Sequence, residues 1–171
     1  LASRNYSRLW ATDVLTLQHR KKHVQQQLAV TDSQWCKAFT TNPQSVLASP
    51  ERVDRVIAWL EAEPLGLSRA ELTKLWLSFP VLFSLPAALL QHRLGQLVSR
   101  FSLSERGMQQ VVFSSSSVLA RPSPVILSQL DSLLAAAPCL RASIPWLLCK
   151  GGGSVLGYSA ETVLSKIDFL R

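Results

Sequence analysis

The fold is decided by residues 65–83, which read LGLSRAELTKLWLSFPVLF. Ser68 followed by Glu71 is typical of a capping box, in which the two side chains bond to backbone N–H groups at the start of a helix. Pro80 ends that helix, because proline lacks the N–H group and its ring clashes with the preceding turn. Between these points apolar residues recur at helical spacing, at Leu72, Leu75 and Trp76. The stretch predicts a capped amphipathic helix followed by a short turn.

Apolar positions recur along the chain at intervals close to 37 residues. Two series have gaps of 37, 36 and 37, namely Ile57, Leu94, Leu130 and Ile167, and Leu60, Leu97, Leu133 and Leu170. This period is typical of helical hairpins that bury their apolar faces only by stacking on their neighbours. We therefore expect an all-α fold, a right-curving α-solenoid of about four helical hairpins over residues 30–171. A basic amphipathic helix within residues 1–29 precedes it.

Helix-start signals divide this region into hairpins. Thr31 is the expected N-cap of the first hairpin, and Ser49 followed by Pro50 starts its second helix. The third hairpin opens at residues 102–104, and its second helix opens at residues 121–124.

The last two hairpins follow the pattern less closely. A serine run at residues 114–117 occupies the place where a helix-ending proline falls in the second hairpin. The fourth hairpin starts near Leu140, is interrupted by three glycines at 151–153, and ends in a helix that Ser159 is expected to cap. We expect its first helix to be short.

The charge of the chain favours a polyanionic partner such as nucleic acid. The 18 Lys and Arg residues exceed the 11 Asp and Glu residues, which gives a net charge of +7, and residues 1–29 carry more than half of it. Each cation taken singly is also compatible with an ordinary solvated surface charge. The candidate phosphate contacts are Arg20, Lys21, Lys22, Arg55, Lys74, Arg93, Arg100 and Arg121.

Other side chains point to structural roles. Cys36, Cys139 and Cys149 form no C-x-x-C pair, so we expect reduced, buried thiols and neither a disulfide nor a zinc site. His19 and His23 are four residues apart and could share a metal, but four ligands are needed for a structural site, and a surface role is favoured. Three tryptophans lie on apolar stripes and are expected in the core, namely Trp35, Trp59 and Trp76. For Trp10 and Trp146 two roles are compatible with the sequence, packing in the core or stacking on a base of a nucleic acid.

The sequence lacks the motifs of common enzymes and of membrane spans. It contains no G-x-S-x-G, P-loop or H-E-x-x-H pattern, so we expect neither catalysis, nor a cofactor, nor a small-molecule substrate. No run approaches the ~20 apolar residues of a membrane span. Because the chain starts at Leu1 and not with Met, we expect a processed or truncated start, with any targeting presequence removed or lying outside this sequence.

The chain resembles the mitochondrial transcription termination factor (mTERF) family. The resemblance lies in the string LGLSxxELxxLxxxxPxLF of residues 65–83 and in the leucines that follow at 90, 94 and 97. It extends over residues 30–171 and implies repeats of two α-helices with a short 3₁₀ turn after a proline, stacked into a curved solenoid. Ser117 and Ser154 replace that proline in the last two repeats, which makes the 3₁₀ turn uncertain there.

The resemblance implies nucleic-acid binding in an organelle, the mitochondrion first and the chloroplast as the alternative. Four hairpins at a helix-packing distance of roughly 10 Å span on the order of 40 Å, which is short for enclosing a long DNA duplex. We therefore expect binding of ribosomal RNA among ribosomal proteins, as a ribosome component or assembly factor. Sequence-specific DNA binding in transcription termination is the second hypothesis, and a protein-binding scaffold is the third.

Overall fold

A computed structural model of the chain describes residues 12–43, 47–153, 158, 161–163 and 165. The regular elements in these ranges are all helical, which confirms the all-α class. The chain divides into two compact units, Leu1–Leu89 and Leu90–Arg171.

Four α-helices and a 3₁₀ turn lie in the first unit. They are α1 (Val14–Leu28), α2 (Asp32–Thr41), α3 (Pro50–Glu61), α4 (Arg69–Ser78) and the Pro80 turn (Pro80–Ser84). A long helix, α5 (Ala87–Phe101), contains the boundary between the units. The remaining elements are α6 (Glu105–Ser114), α7 (Ser116–Ala120), α8 (Ser123–Ala136), the Pro138 turn (Pro138–Ala142) and α9 (Ile144–Cys149).

The predicted helix starts at Thr31, Ser68 and Ser104 are confirmed by their cap hydrogen bonds. The Ser68 hydroxyl accepts from the Glu71 backbone N–H at 3.4 Å, and the Glu71 carboxylate accepts from the Ser68 backbone N–H at 2.9 Å. Thr31 forms the same reciprocal pair with Gln34. Ser104 accepts from the backbone N–H of Gly107 at 3.2 Å. Each cap satisfies N–H groups that the first helical turn leaves without a partner.

The core of the first unit is built around α3 and α4. Helix α1 packs against both of them, and so does the Pro80 turn. The rings of Trp35 on α2 and Trp76 on α4 stack with centroids 5.8 Å apart and planes 12° from parallel. Both side chains are buried, which confirms core packing for these two tryptophans. Trp59 is only half-buried, and Trp10 lies outside the described residues.

In the second unit, α9 packs against α6, and the Pro138 turn contacts α8 and α9. The helix that we expect to be short in this part of the chain, α9, has six residues. Its end is followed by the glycines at 151–153. The expected N-cap at Ser159 lies outside the described residues.

The burial pattern follows the 37-residue register. The same three register positions are buried in each of the helices α3, α5 and α8, namely Val53, Ile57 and Leu60 in α3, Leu90, Leu94 and Leu97 in α5, and Ile126, Leu130 and Leu133 in α8. Both predicted apolar series are therefore core positions as far as Leu130 and Leu133, while Ile167 and Leu170 lie outside the described residues.

The serine run changes the turn of the third hairpin. Pro80 begins a 3₁₀ turn in the second hairpin, whereas residues 116–120 form the short α-helix α7. The Ser116 hydroxyl donates to the backbone carbonyl of Val112, so it bonds to the end of α6.

The expectation of buried thiols is wrong for two of the three cysteines. Cys36 and Cys139 are exposed and Cys149 is half-buried, and all three are free. Cys36 follows the buried Trp35, and one step along an α-helix rotates a side chain by about 100°, which turns it out of the core. Cys139 lies in the Pro138 turn, which has no buried residue. Burial raises the pKa of the Cys149 thiol, and its Sγ atom lies 3.7 Å from the carbonyl oxygen of Gly107.

Candidate nucleic-acid interface

The basic cluster of α1 is largely occupied by contacts within the chain. The Arg20 guanidinium donates to the carbonyl of Leu47 at 2.9 Å. The Lys21 ammonium lies 2.7 Å from the Asp32 carboxylate, and this hydrogen bond raises the pKa of Lys21 and lowers that of Asp32. Lys22 is exposed and makes no side-chain hydrogen bond or ion pair within the described part of the chain. Of the three predicted phosphate contacts in this helix, only Lys22 is left open to a partner.

The candidate cations of the long helices α3 and α5 are also engaged. Arg55 donates through Nε to the carbonyl of Glu51 at 3.2 Å. Arg93 is half-buried and donates to the carbonyl of Leu119 at 2.6 Å, and burial lowers its pKa. Arg100 forms an ion pair with Asp131. These three side chains stabilise local structure in the free protein.

Three arginines share one structural role, and we call them the turn-capping arginines. Each extends from a helix to a backbone carbonyl 26 to 32 residues further along the chain. The pairs are Arg20 with Leu47, Arg52 with Ser84 at 3.1 Å, and Arg93 with Leu119. The acceptors of Arg20 and Arg52 are 37 residues apart, whereas the two donors are 32 residues apart. Hydrogen bonds from a charged donor contribute about 1.5–3 kcal/mol when they are shielded from water, and the exposed bond of Arg52 contributes less.

Cations without such contacts are concentrated elsewhere. Six exposed side chains make no hydrogen bond or ion pair in the described ranges, namely Lys22, Lys37, Lys74, Arg106, Arg141 and Lys150. The first helix of each of the first three hairpins, α2, α4 and α6, carries one of them. Arg121 is half-buried and has an interaction partner, so it is not counted among them. Half of the open cations, Lys37, Lys74 and Arg106, therefore lie on α2, α4 and α6.

Lys37 is a candidate that the sequence argument missed. It lies 37 residues before Lys74, at the same register position in the preceding hairpin. Each lysine is two residues after a buried position, Trp35 or Leu72, which corresponds to a rotation of about 200° around the helix. Both lysines are accordingly exposed, on the side of the helix away from its buried stripe. Applying the period to the cations as well as to the apolar residues would have found this pair.

The histidine pair has a structural partner. His23 Nε2 lies 2.7 Å from a carboxylate oxygen of Asp54, which ties α1 to α3. Among the residues that the structure describes, no group of three His, Cys, Asp or Glu side chains could hold a metal ion. Trp146 is 62% exposed and remains available for contact with a partner.

No helix within the described ranges has the length and hydropathy needed to cross a membrane. Comparison with protein-family models, with curated proteins and with solved structures finds no match for this chain. Its class is therefore defined by its own structure, as an all-α protein in which α3, α5 and α8 repeat one buried register and in which α2, α4 and α6 each carry one open cation. The resemblance to the mTERF family stays a prediction.

Proposed function

We propose that this chain is an RNA-binding protein of an organelle, a short α-solenoid that binds ribosomal RNA as a mitochondrial ribosome component or assembly factor. Its role is binding and not catalysis. The observation that carries the proposal is the separation of the cations. Those of the long helices bond within the chain, whereas Lys37, Lys74 and Arg106 on the first helices do not. Organelle and ribosome come from the mTERF resemblance.

Lys37 and Lys74 form the centre of the proposed RNA-binding face. In an α-solenoid, α2 and α4 are equivalent helices of successive hairpins, so side chains 37 residues apart lie on the same face. The stacked rings of Trp35 and Trp76 support direct contact between these two helices. Helices in contact have axes roughly 8–10 Å apart, so the two ammonium groups are spaced for neighbouring phosphates of one RNA.

RNA is favoured over duplex DNA by the size of the surface. Few open cations are available, and reading the DNA major groove requires an element that enters it with several base-contacting side chains. RNA helices are recognised mainly through shape and backbone contacts, for which a few well-spaced cations are sufficient.

Neutralising the two lysines tests the proposal. In Lys37→Gln/Lys74→Gln we expect affinity for ribosomal RNA fragments to fall roughly tenfold at physiological salt, because two phosphate contacts are lost. The slope of log affinity against log salt should become shallower by about 0.7–0.9 for each lost contact. Fluorescence anisotropy over a salt series gives both quantities. The helical content of the variant should be unchanged, since neither side chain makes a hydrogen bond or ion pair within the described part of the chain.

Ala58→Glu is the matched control. Ala58 is exposed on α3, and the substitution lowers the net charge by one unit, so it is compared with the single variants Lys37→Gln and Lys74→Gln, each of which also removes one unit. We expect a much smaller loss of affinity from it, because a charge outside the proposed contact surface is partly screened by salt. Equal losses from Ala58→Glu and from the single lysine variants would indicate a diffuse charge effect and would count against a face centred on the lysines. Tighter binding to duplex DNA than to RNA would favour the transcription hypothesis.

A further inference from the structure

An open groove of about 580 Å³ lies along α5 in the second unit, beside Leu127 of α8. Its other lining residues are His92, Gly95, Gln96, Ser99 and Arg100, all from α5. The volume falls in the range of roughly 300–1,000 Å³ that is usual for small-ligand sites. Most of the exposed lining is apolar, and it includes a cation and an imidazole, so it suits a flat, partly apolar ring that carries an anionic group.

Gly95 is the feature that nothing inside the protein explains. It lies in the interior of α5, where glycine weakens a helix relative to alanine because it loses more backbone freedom on folding. A Cβ atom at this position would have no neighbour within 4 Å, and the backbone does not adopt a positive φ. Ala58, at the same register position in α3, is exposed and is part of a regular helix. Gly95 leaves the helix backbone open to a molecule approaching from outside.

The polar groups of the groove supply recognition. A guanidinium carries five N–H donors, and the ion pair of Arg100 with Asp131 is made through one terminal nitrogen, Nη2. Exposed His92 and Ser99 lie beside Arg100 in the groove. A nucleotide offers a phosphate for the arginine and a face for stacking on the imidazole.

We propose that this groove holds one unpaired nucleotide of a bound RNA, an inference that rests on the RNA-binding function proposed above. The sugar and base lie over Gly95, and Arg100 contacts the phosphate. The groove gives the protein a preference for RNA that contains single-stranded nucleotides, which the lysines alone cannot supply, since phosphate contacts do not distinguish paired from unpaired strands.

Two variants at Gly95 separate binding from stability. Gly95→Ala and Gly95→Leu fill the space over the helix. We expect Gly95→Ala to raise the melting temperature by about 2–4 °C, because alanine is the better helix former. We expect affinity for a short unstructured RNA to fall roughly five- to tenfold in Gly95→Ala and further in Gly95→Leu, the size expected for one lost stacked base. Affinity for a duplex of the same sequence should change by less than about twofold.

Ser132→Ala is the matched control, because it improves helix propensity at an exposed position of α8 that does not line the groove. We expect its RNA affinity to equal that of the unaltered chain. If both Gly95 variants bind unstructured RNA as tightly as the unaltered chain, or lose duplex binding equally, the groove is not a nucleotide site, while RNA binding itself stands. If the unaltered chain binds neither RNA, the proposed function fails and this inference fails with it.

Discussion

Ser68 and Glu71 show how one pair of side chains starts a helix. The Glu71 carboxylate accepts hydrogen bonds from both the hydroxyl and the backbone N–H of Ser68, at 2.7 and 2.9 Å. The hydroxyl bond is the larger cause of a lowered Glu71 pKa, and the backbone bond is the second. Thr31 and Gln34 form the same box with a neutral amide in place of the carboxylate. The chain thus contains a charged and an uncharged version of one cap.

The charged cap should lose strength in acid. A group whose pKa is lowered in the folded state contributes stability above its unfolded pKa, about 4.3 for Glu, and this contribution is lost as the pH falls through the folded pKa. We expect Glu71→Gln to lower the free energy of unfolding at pH 7 by about 0.3–1 kcal/mol, the value of a negative charge at a helix N-terminus. Between pH 5 and pH 3 the free energy of unfolding of this variant should then fall less than that of the unaltered chain. This range lies around the unfolded pKa of Glu, about 4.3.

Thermal unfolding monitored by circular dichroism at a series of pH values measures this difference. Gln34→Glu is the reciprocal variant, since it places a carboxylate in the neutral box of α2. We expect it to add acid sensitivity where Glu71→Gln removes it. Parallel pH profiles for all three proteins would contradict the assignment of this acid sensitivity to Glu71.

Single-residue roles could be predicted from the sequence only where the partner is close along the chain. The capping boxes span three residues, so their spacing alone identified them. The turn-capping arginines bond to carbonyls 26 to 32 residues away, and the sequence could not distinguish Arg20 or Arg93 from a phosphate contact. Lys74 and Arg93 look equivalent in the sequence, yet one is exposed and the other is half-buried.

At the scale of elements, the serine run and the glycine run fit each other. Ser115 is buried, and its hydroxyl donates to the carbonyl of Leu148 at 2.6 Å and accepts from the backbone N–H of Gly153 at 3.2 Å. A Cβ atom at Gly153 would lie 2.6 Å from the Cβ of Ser115 and 2.7 Å from a methyl group of Val118. Serine in one segment and glycine in the other are therefore both required by this contact.

We expect Gly153→Ala to destabilise the second unit by about 1–3 kcal/mol, because the added methyl group overlaps atoms that cannot move without distorting α7. Ser115→Gly should also be destabilising, since it removes two buried hydrogen bonds. The double variant should cost less than the sum of the two, because glycine at 115 removes part of the overlap. Urea unfolding gives all three values.

Gly107→Ala provides the control in the same unit. Gly107 is buried in α6, but a Cβ there would lie 3.4 Å or more from its nearest neighbours, so a methyl group fits. We expect a change within about 0.5 kcal/mol, or a small gain in stability. Strict additivity of Ser115→Gly and Gly153→Ala would mean that the two residues act independently.

The contact between the serine run and the glycine run could not be predicted from the sequence. The two runs looked like separate losses of the repeat pattern, because residues 115 and 153 are 38 positions apart and neither shows its partner. Helix existence, type and start were predictable, since periodicity and caps are local. The replacement of a proline turn by α7 was not, because it depends on the hydrogen bond of Ser116 with Val112 and on the packing of Ser115.

At the scale of the whole molecule, the sequence predicts which residues of the repeat are buried, but it does not predict which cations stay without a partner. Burial of Ile57, Leu94 and Leu130 followed directly from the period, since α3, α5 and α8 bury the same register position. The net charge can be counted in the sequence. The cations that remain without a partner are decided by contacts that form when the chain folds. Arg69 illustrates this, as it pairs with Glu61 at 2.7 Å and donates to Gln27.

The proposed solenoid predicts that stability is local. Leu60 and Leu133 occupy the same register position, are 0% and 3% exposed, and belong to the first and second compact units. Leu60→Ala and Leu133→Ala should each cost about 2–5 kcal/mol through the cavity they leave. In a stack of hairpins the loss is confined to the altered unit and its neighbours, whereas a single cooperative core would distribute either loss over the whole chain.

The stacked pair of Trp35 and Trp76 reports on the first unit alone, because both rings lie within it. The near-ultraviolet circular dichroism of this pair should be lost at a lower urea concentration in Leu60→Ala than in the unaltered chain. In Leu133→Ala it should be lost at nearly the same urea concentration as in the unaltered chain. The far-ultraviolet signal, which follows all helices, should shift in both variants. If the tryptophan signal shifts equally in the two, the chain unfolds as one cooperative body, and the separate hairpins that the 37-residue period implies do not behave as units of stability.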